Sequence, residues 1–119
     1  MNIRILWLVA LIVLAVFVVR AMAGPVSDSE KAAAKEKIRK GARVVDVRTT
    51  TEYAAGHYTG ATNIPLQELQ KRLRDVGPTN QPVVVYCRSG IRSAQAKQIL
   101  LKAGFSDVTN AGGLSDLQK

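Results

Sequence analysis

Cys87 is the only cysteine and His57 the only histidine among the 119 residues. A single thiol makes no intramolecular disulfide, and one cysteine with one histidine assembles no zinc site, so disulfide scaffolds, zinc modules and CxxC redox enzymes are excluded. What surrounds the thiol is the run Cys87-Arg88-Ser89-Gly90-Ile91-Arg92-Ser93, with one glycine and two arginines. In a tight strand-to-helix loop of this kind, successive backbone N–H groups form an anion-binding nest that the helix dipole reinforces. A thiol placed there ionises more easily, and the thiolate is the nucleophile. Arg88 and Arg92 add planar, permanently charged donors for a tetrahedral oxyanion.

Sulfonate, phosphate and arsenate all satisfy that charge requirement. Spacing separates them: Cys87 to Arg92 is C-x4-R, one residue tighter than the C-x5-R loop with which cysteine phosphatases wrap phosphate. A smaller ring of N–H groups suits a sulfur atom carried on the cysteine better than a phosphoryl group, so a phosphatase or arsenate reductase is the weaker alternative. The bland alternative is a buried, inert cysteine that ends a strand.

The elements that must position this loop follow from the pattern. Ser27-Asp28-Ser29-Glu30 offers a capping box for a helix from Ser29 to Lys40, closed by Gly41. Arg43 to Val47 reads as a buried strand, Thr51 as the cap of a short helical turn from Glu52 to Ala55, and Ala61 to Ile64 as a weak strand. Leu66, Leu69, Leu73 and Val76 fall at helical spacing and predict one amphipathic helix before Gly77-Pro78. Pro82 to Tyr86 is the most strand-like run and ends at Cys87. A helix begins near Ser93, with Ala94, Ile99, Leu100 and Ala103 available to the core, and ends at Gly104. Asp107 to Thr109 then forms a last strand, and Asn110 to Gly113 a turn. Strands and helices alternating at these lengths predict an α/β fold, a mostly parallel central sheet with helices on both faces. In such sheets ligands bind at the carboxyl ends of strands, where Cys87 stands.

These stretches resemble the rhodanese-type sulfurtransferases. Cys87 to Ser93 is similar to that family's active-site loop, Asp46-Val47-Arg48 with Glu52-Tyr53 to its first-strand motif, Gly56 to Pro65 to its second, and Asn110-Ala111-Gly112-Gly113-Leu114 to its C-terminal turn. The resemblance covers residues 27–119. It implies that the Cys87 thiolate takes sulfane sulfur from thiosulfate or a similar donor, holds it as a persulfide, and passes it to cyanide or a thiol acceptor. The amides of Arg88, Ser89, Gly90, Ile91, Arg92 and Ser93 would stabilise the thiolate and persulfide, and Arg88 and Arg92 would hold the sulfonate. No cofactor, metal or resolving cysteine is implied, because an external acceptor regenerates the nucleophile. A sulfur-carrier or persulfide-binding module serving a protein partner is the alternative of a different class. Asp46 and Arg48 are expected to fix loops through charge-assisted hydrogen bonds. His57 and Glu52 are candidate general bases, though a histidine beside Gly56 in a loop is more often a structural hydrogen-bonding residue. Many family members carry a tryptophan where Leu114 stands, and a longer terminal helix.

Residues 1–23 are expected to stand apart from the domain. The fifteen residues from Ile5 to Val19 are all apolar and span about 22 Å as a helix, short of the roughly 30 Å hydrocarbon core of a bilayer. A basic start, this short run and Ala21-Met22-Ala23 before Gly24 read as an export signal cleaved near Ala23, which would place the domain in the periplasm or cell envelope. The competing reading is an uncleaved anchor, with Arg20 snorkelling. Arg20, Lys31, Lys35, Lys37 and Arg39 all follow the apolar run, and for an anchor that bias favours a cytoplasmic domain.

The net charge is +8. Its positive residues alternate with Glu and Asp and lack an aromatic platform, so a solvated helix face is expected rather than nucleic-acid binding. With the anchor retained, Lys31 to Arg43 would also meet anionic lipid.

Overall fold

A computed structural model describes residues 2–22 and 25–119, with side chains given for all of these except 16–22. Helix α1 covers Ile3–Met22, and its apolar side chains, such as Ile3, Trp7 and Ile12, are exposed. Among the described residues no helix is long and apolar enough to cross a membrane. The expected cleavage point between Ala23 and Gly24 lies outside the described residues.

Beyond α1 the chain forms a four-stranded parallel sheet in the order β2-β1-β3-β4, built from β1 (Arg43–Asp46), β2 (Thr62–Asn63), β3 (Val83–Cys87) and β4 (Val108–Gly113). Strand alternation sorts the core into two layers. Val83, Val85 and Cys87 of β3 and Val45 of β1 face one cluster with Ile64, Leu69, Val76, Ala96, Leu100 and Phe105. Val84 and Tyr86 face the other, with Ala34, Ala61, Ala111 and Leu117. With both faces covered, β3 reads as an unbroken apolar run rather than an alternating one. Helices therefore lie on both faces, α2 (Asp28–Arg39) and α7 (Leu114–Leu117) against one cluster and α6 (Ile91–Lys102) against the other.

Several local expectations are corrected. The helix predicted across Leu66 to Val76 is two short ones, α4 (Leu66–Leu69) and α5 (Leu73–Val76). Lys71 N bonds Glu68 O and Arg72 N bonds Leu69 O, three residues back, and Arg72 leaves helical geometry at φ −120°, ψ 32°. The leucine spacing marks a shared face, which two separate turns supply as well as one helix does. Helix α3 (Thr50–Ala55) is capped by Thr49, whose hydroxyl accepts from Glu52 N while the Glu52 carboxylate returns to Thr49 N. Thr51 is not the cap. At α2, Ser27 accepts from Glu30 N, but Glu30 does not complete the expected box: its carboxylate accepts from Lys97 Nζ and Asn110 N, both at 2.8 Å. Strand β4 runs on through Gly113, where a turn was expected.

The basic residues of α2 are largely engaged within the domain. Lys31 pairs with Asp116 at 3.2 Å, Lys37 with Asp107 and Thr109, and Arg39 with Glu36. Of the basic residues expected to meet lipid, Lys31 and Lys37 dock α2 onto α7 and β4, while Lys35, Arg39 and Lys40 are exposed.

Candidate active site

After β1 the chain passes to β2 on one side of β1, then returns to place β3 on its other side. The carboxyl ends of β1 and β3 thus flank a topological switch point, where open α/β sheets bind their ligands. Cys87 ends β3, Arg48 and Glu52 follow β1, and Gly113 ends β4 opposite Cys87 after a register shift. A cleft of about 440 Å³ opens here, lined by Arg48, Glu52, Ala55, Arg88, Leu114, Ser115 and Gln118.

The loop geometry follows from its glycine. Gly90 sits in the left-handed region at φ 99° and caps α6, so the helix begins at Ile91, two residues ahead of the expected Ser93. Ser93 consequently lies in the first turn, where helix N–H groups have no intrahelical acceptor. A Cβ at Gly90 would also come within 2.9 Å of Val26 Cγ2 and 3.3 Å of Gly112 Cα. Gly113 is required for a different reason: its Cβ would stand 2.2 Å from the carbonyl oxygen of Arg88. Gly113 thus lets β4 close against the loop.

Donors converge on the sulfur. Gly90 N–H donates to Cys87 Sγ at 3.0 Å and the Ser93 hydroxyl at 3.3 Å. Burial alone would push the thiol up, but hydrogen bonds from the Ser93 hydroxyl and the amides of Ser93, Gly90 and Ser89 outweigh it and hold Cys87 below the ordinary thiol range. Ser89 is exposed, Gly90 is buried, and Ile91 is left 70% exposed at the rim.

The two arginines part ways. Arg88 is exposed and borders the cleft. Arg92, expected beside it on the donor's anionic end, is instead held by Glu52, Nη1 to Oε1 at 2.7 Å and Nη2 to Oε2 at 2.9 Å. The α3 cap already orients Glu52, so the carboxylate meets Arg92 in a bidentate fork. Hydrogen bonding from Arg92 pulls Glu52 down to about 2, which leaves it a poor general base. His57 also stands aside: its ring stacks on Tyr53 at 3.7 Å, and Nδ1 donates to the Tyr53 carbonyl at 2.9 Å.

Asp46 and Arg48 form a buried pair, Arg48 Nη2 to Asp46 Oδ2 at 2.6 Å. Arg48 also donates to Gly56 O at 2.8 Å, and the Tyr86 hydroxyl donates to Asp46 at 2.7 Å. Burial pushes the Tyr86 phenol up, keeping that proton in place. Asn110 is the buried polar residue that sequence reasoning left without a role. Its side chain touches Ser93, Gly90 and Gly112, and its only advance signal was its place at the head of the Gly112-Gly113 motif.

A parallel sheet in this strand order with a donor-lined cysteine at the switch point defines the class: an α/β domain whose candidate site is a thiol met by hydrogen-bond donors. Residues 30–119 match the model of the Rhodanese-like domain, and the chain belongs to that family. It is 46% identical over 74 residues to thiosulfate sulfurtransferase PspE of Escherichia coli, covering 61% of this chain and 71% of that protein. Thiosulfate sulfurtransferase GlpE of Pseudomonas fluorescens is 39% identical over 74 residues, 62% of this chain and 67% of that one. Among solved structures, a rhodanese with anions from E. coli matches at a TM-score of 0.61 and 44% identity, covering 64% of this chain and 91% of the other.

Proposed function

We propose that this rhodanese-type enzyme is a thiosulfate sulfurtransferase working through a persulfide on Cys87. The observation that carries the reading is the convergence of the Gly90 amide and Ser93 hydroxyl on one buried sulfur at the head of a helix. The Cys87 thiolate attacks the outer sulfur of thiosulfate; the S–S bond of the donor breaks and sulfite leaves with its electron pair. Cyanide or a thiolate then attacks the terminal sulfur of the persulfide and releases the Cys87 thiolate. The donors on Sγ stabilise the negative charge at both stages, as an oxyanion hole does for oxygen. Arg88 is the guanidinium we assign to the donor's anionic end, since Arg92 is bound to Glu52. The E. coli structure with anions and the names of PspE and GlpE support the choice of substrate class.

Mass spectrometry after thiosulfate treatment tests the reading. An addition of about 32 Da, one sulfur atom, on the Cys87 peptide is expected, and cyanide should remove it with release of thiocyanate. No addition, or an equal one in Cys87→Ser, would overturn it. We further propose that residues 1–23 direct export or anchor the domain, residues 27–119, at the cell envelope. The exposed apolar surface of α1 supports this. Mature protein starting near Gly24 would establish a cleaved signal; Met1 on membrane-bound protein would establish an anchor, and Met1 on soluble protein would refute both.

A further inference from the structure

We propose that Asn110 is a positioning residue for the nucleophile, acting through a Ser93 hydroxyl that is shared between the sulfur and the Asn110 side chain. The inference rests on the reading of Cys87 as the nucleophile and assigns a residue outside the loop a part in setting its charge state. Ser93 Oγ lies 3.3 Å from Cys87 Sγ and 2.7 Å from Asn110 Oδ1. The orientation of the amide is fixed from both ends: Nδ2 donates to the Gly90 carbonyl at 3.0 Å, and Oδ1 accepts from Gly112 N at 3.0 Å. The atom facing Ser93 therefore only accepts, and a hydroxyl has one hydrogen to give. Two acceptors compete for it.

The competition resolves differently in the two states of the sulfur. As a thiol, Sγ–H donates to Ser93 Oγ, and the Ser93 hydrogen goes to Asn110, an unbroken chain. As a thiolate or persulfide anion, sulfur only accepts; the thiol proton has gone to solvent, and the Ser93 hydrogen turns from Oδ1 to Sγ. Asn110 Oδ1 then keeps Gly112 N–H alone. No covalent bond of Ser93 or Asn110 changes. Through its oxygen, Asn110 favours the thiol; through Nδ2 it holds the Gly90 carbonyl and so aims the Gly90 amide at the sulfur, which favours the anion. Cys87 and Ser93 are fully buried and Asn110 is 3% exposed, so solvent does not readily substitute for a lost partner.

Apart from Arg88, which is exposed on the cleft wall beside Cys87, the charged groups around the site are paired. Arg92 of α6 shares its charge with Glu52 of α3, and Arg48 after β1 with Asp46 beneath Tyr86. Lys97 of α6 meets Glu30 of α2, which accepts from Asn110 N, and Asp116 of α7 meets Lys31. Strand β4 contributes no charged side chain. That leaves the Ser93 hydrogen as the movable element.

Thiolate ultraviolet absorbance, titrated with pH in the full chain against a Cys87→Ser blank, reads the effect whether or not sulfur is transferred. Ser93→Ala should raise the Cys87 pKa enough to cut the thiolate fraction at a fixed pH below it about tenfold. In an Asn110→Ala background, where the hydroxyl serves sulfur alone, the same replacement should cost about threefold more. An Asn110→Asp background gives up the Nδ2 donor to the Gly90 carbonyl but places a stronger acceptor on the Ser93 hydroxyl; within that background the acceptor retains the hydrogen, and Ser93→Ala should cost less than in the parent. The second pair decides the matter if Asn110→Ala does not fold. Equal Ser93→Ala shifts in the parent and in whichever Asn110 background folds would reduce Asn110 to scaffold and overturn the proposal.

Discussion

The carboxyl ends of β1 and β3 lie side by side in the sheet, both are buried, and they solve the polar problem in opposite ways. At the end of β1, Asp46 and Arg48 neutralise each other, Arg48 N–H donates to Asp46 at 2.9 Å, and the Asn63 amide donates at 3.0 Å to the carbonyls of both residues. At the end of β3, a hydroxyl and backbone amides converge on one sulfur, and among the described residues no basic side chain is bonded to it. Balanced polarity holds loops in place; converging donors with one acceptor between them create a preference for negative charge. The proposed chemistry uses the second pattern, and the first holds the loops around it.

The largest expected effect breaks the β3 end alone. Cys87→Ser keeps the shape and the hydrogen bonds but removes the thiolate, so sulfur transfer to cyanide should fall to the uncatalysed background while the unfolding free energy stays within about 1 kcal/mol of the parent. Transfer surviving in that variant would mean that the frame, rather than the sulfur, does the work.

Next comes the β1 end. Asp46→Ala leaves Arg48, 6% exposed, buried without its partner, a loss of about 3–5 kcal/mol. For a domain whose total stability is about 5–15 kcal/mol, denaturant titration should show a chain near its limit. Replacing both members, Asp46→Leu with Arg48→Met, should recover only part of the loss: neither charge is stranded, but the Tyr86 hydroxyl and the Arg48 N–H lose their buried acceptor. A double variant as unstable as the single one would show that the hydrogen bonds to Asp46 and Gly56, and not charge balance, dominate. A smaller step on the same side is Tyr86→Phe. It takes a donor from Asp46 and an acceptor from Tyr58 N–H, and should cost about 1–2 kcal/mol in the same titration while leaving the Cys87 persulfide yield unchanged.

The two ends also differed in how far sequence could be read. The β3 end was legible because its signals are local: an apolar strand, a cysteine at its end, and a glycine where the chain must turn. The capping pairs show the limit. Thr49-x-x-Glu52 carries the capping-box spacing, and three consecutive threonines hid which one begins the helix. Ser27-x-x-Glu30 carries it equally well, but there the glutamate finds a lysine and an amide from distant elements. Helical spacing at Leu66, Leu69, Leu73 and Val76 identified the buried face correctly and the continuity of the helix wrongly, since burial constrains which side chains share a face and not how the backbone links them. Asn110 was invisible as a site residue because its partners are 17 and 20 residues away in the chain. The pairing of Arg92 with Glu52 spans 40 residues and was equally out of reach.

That pair joins the two ends, and it gives the smallest effect. Glu52 comes from the β1 side and Arg92 from the β3 side, with side chains 27% and 34% exposed, so solvent screening limits their mutual stabilisation to about 1 kcal/mol. The sign with pH is fixed. Hydrogen bonding from Arg92 depresses Glu52 from 4.5 to about 2 in the folded chain, so its contribution is complete above the unfolded value near 4.5 and is lost as pH falls toward about 2. Glu52→Gln keeps the Thr49 cap but carries no titrating group, so the stability gap between parent and variant should be widest above pH 4.5 and close between there and pH 2. The same variant releases Arg92 beside the cleft. If anion recognition at neutral pH is limited by that arginine's engagement, the KM for thiosulfate falls with kcat nearly unchanged; an unchanged KM leaves recognition with Arg88, and Arg88→Ala should then raise KM severalfold in both backgrounds.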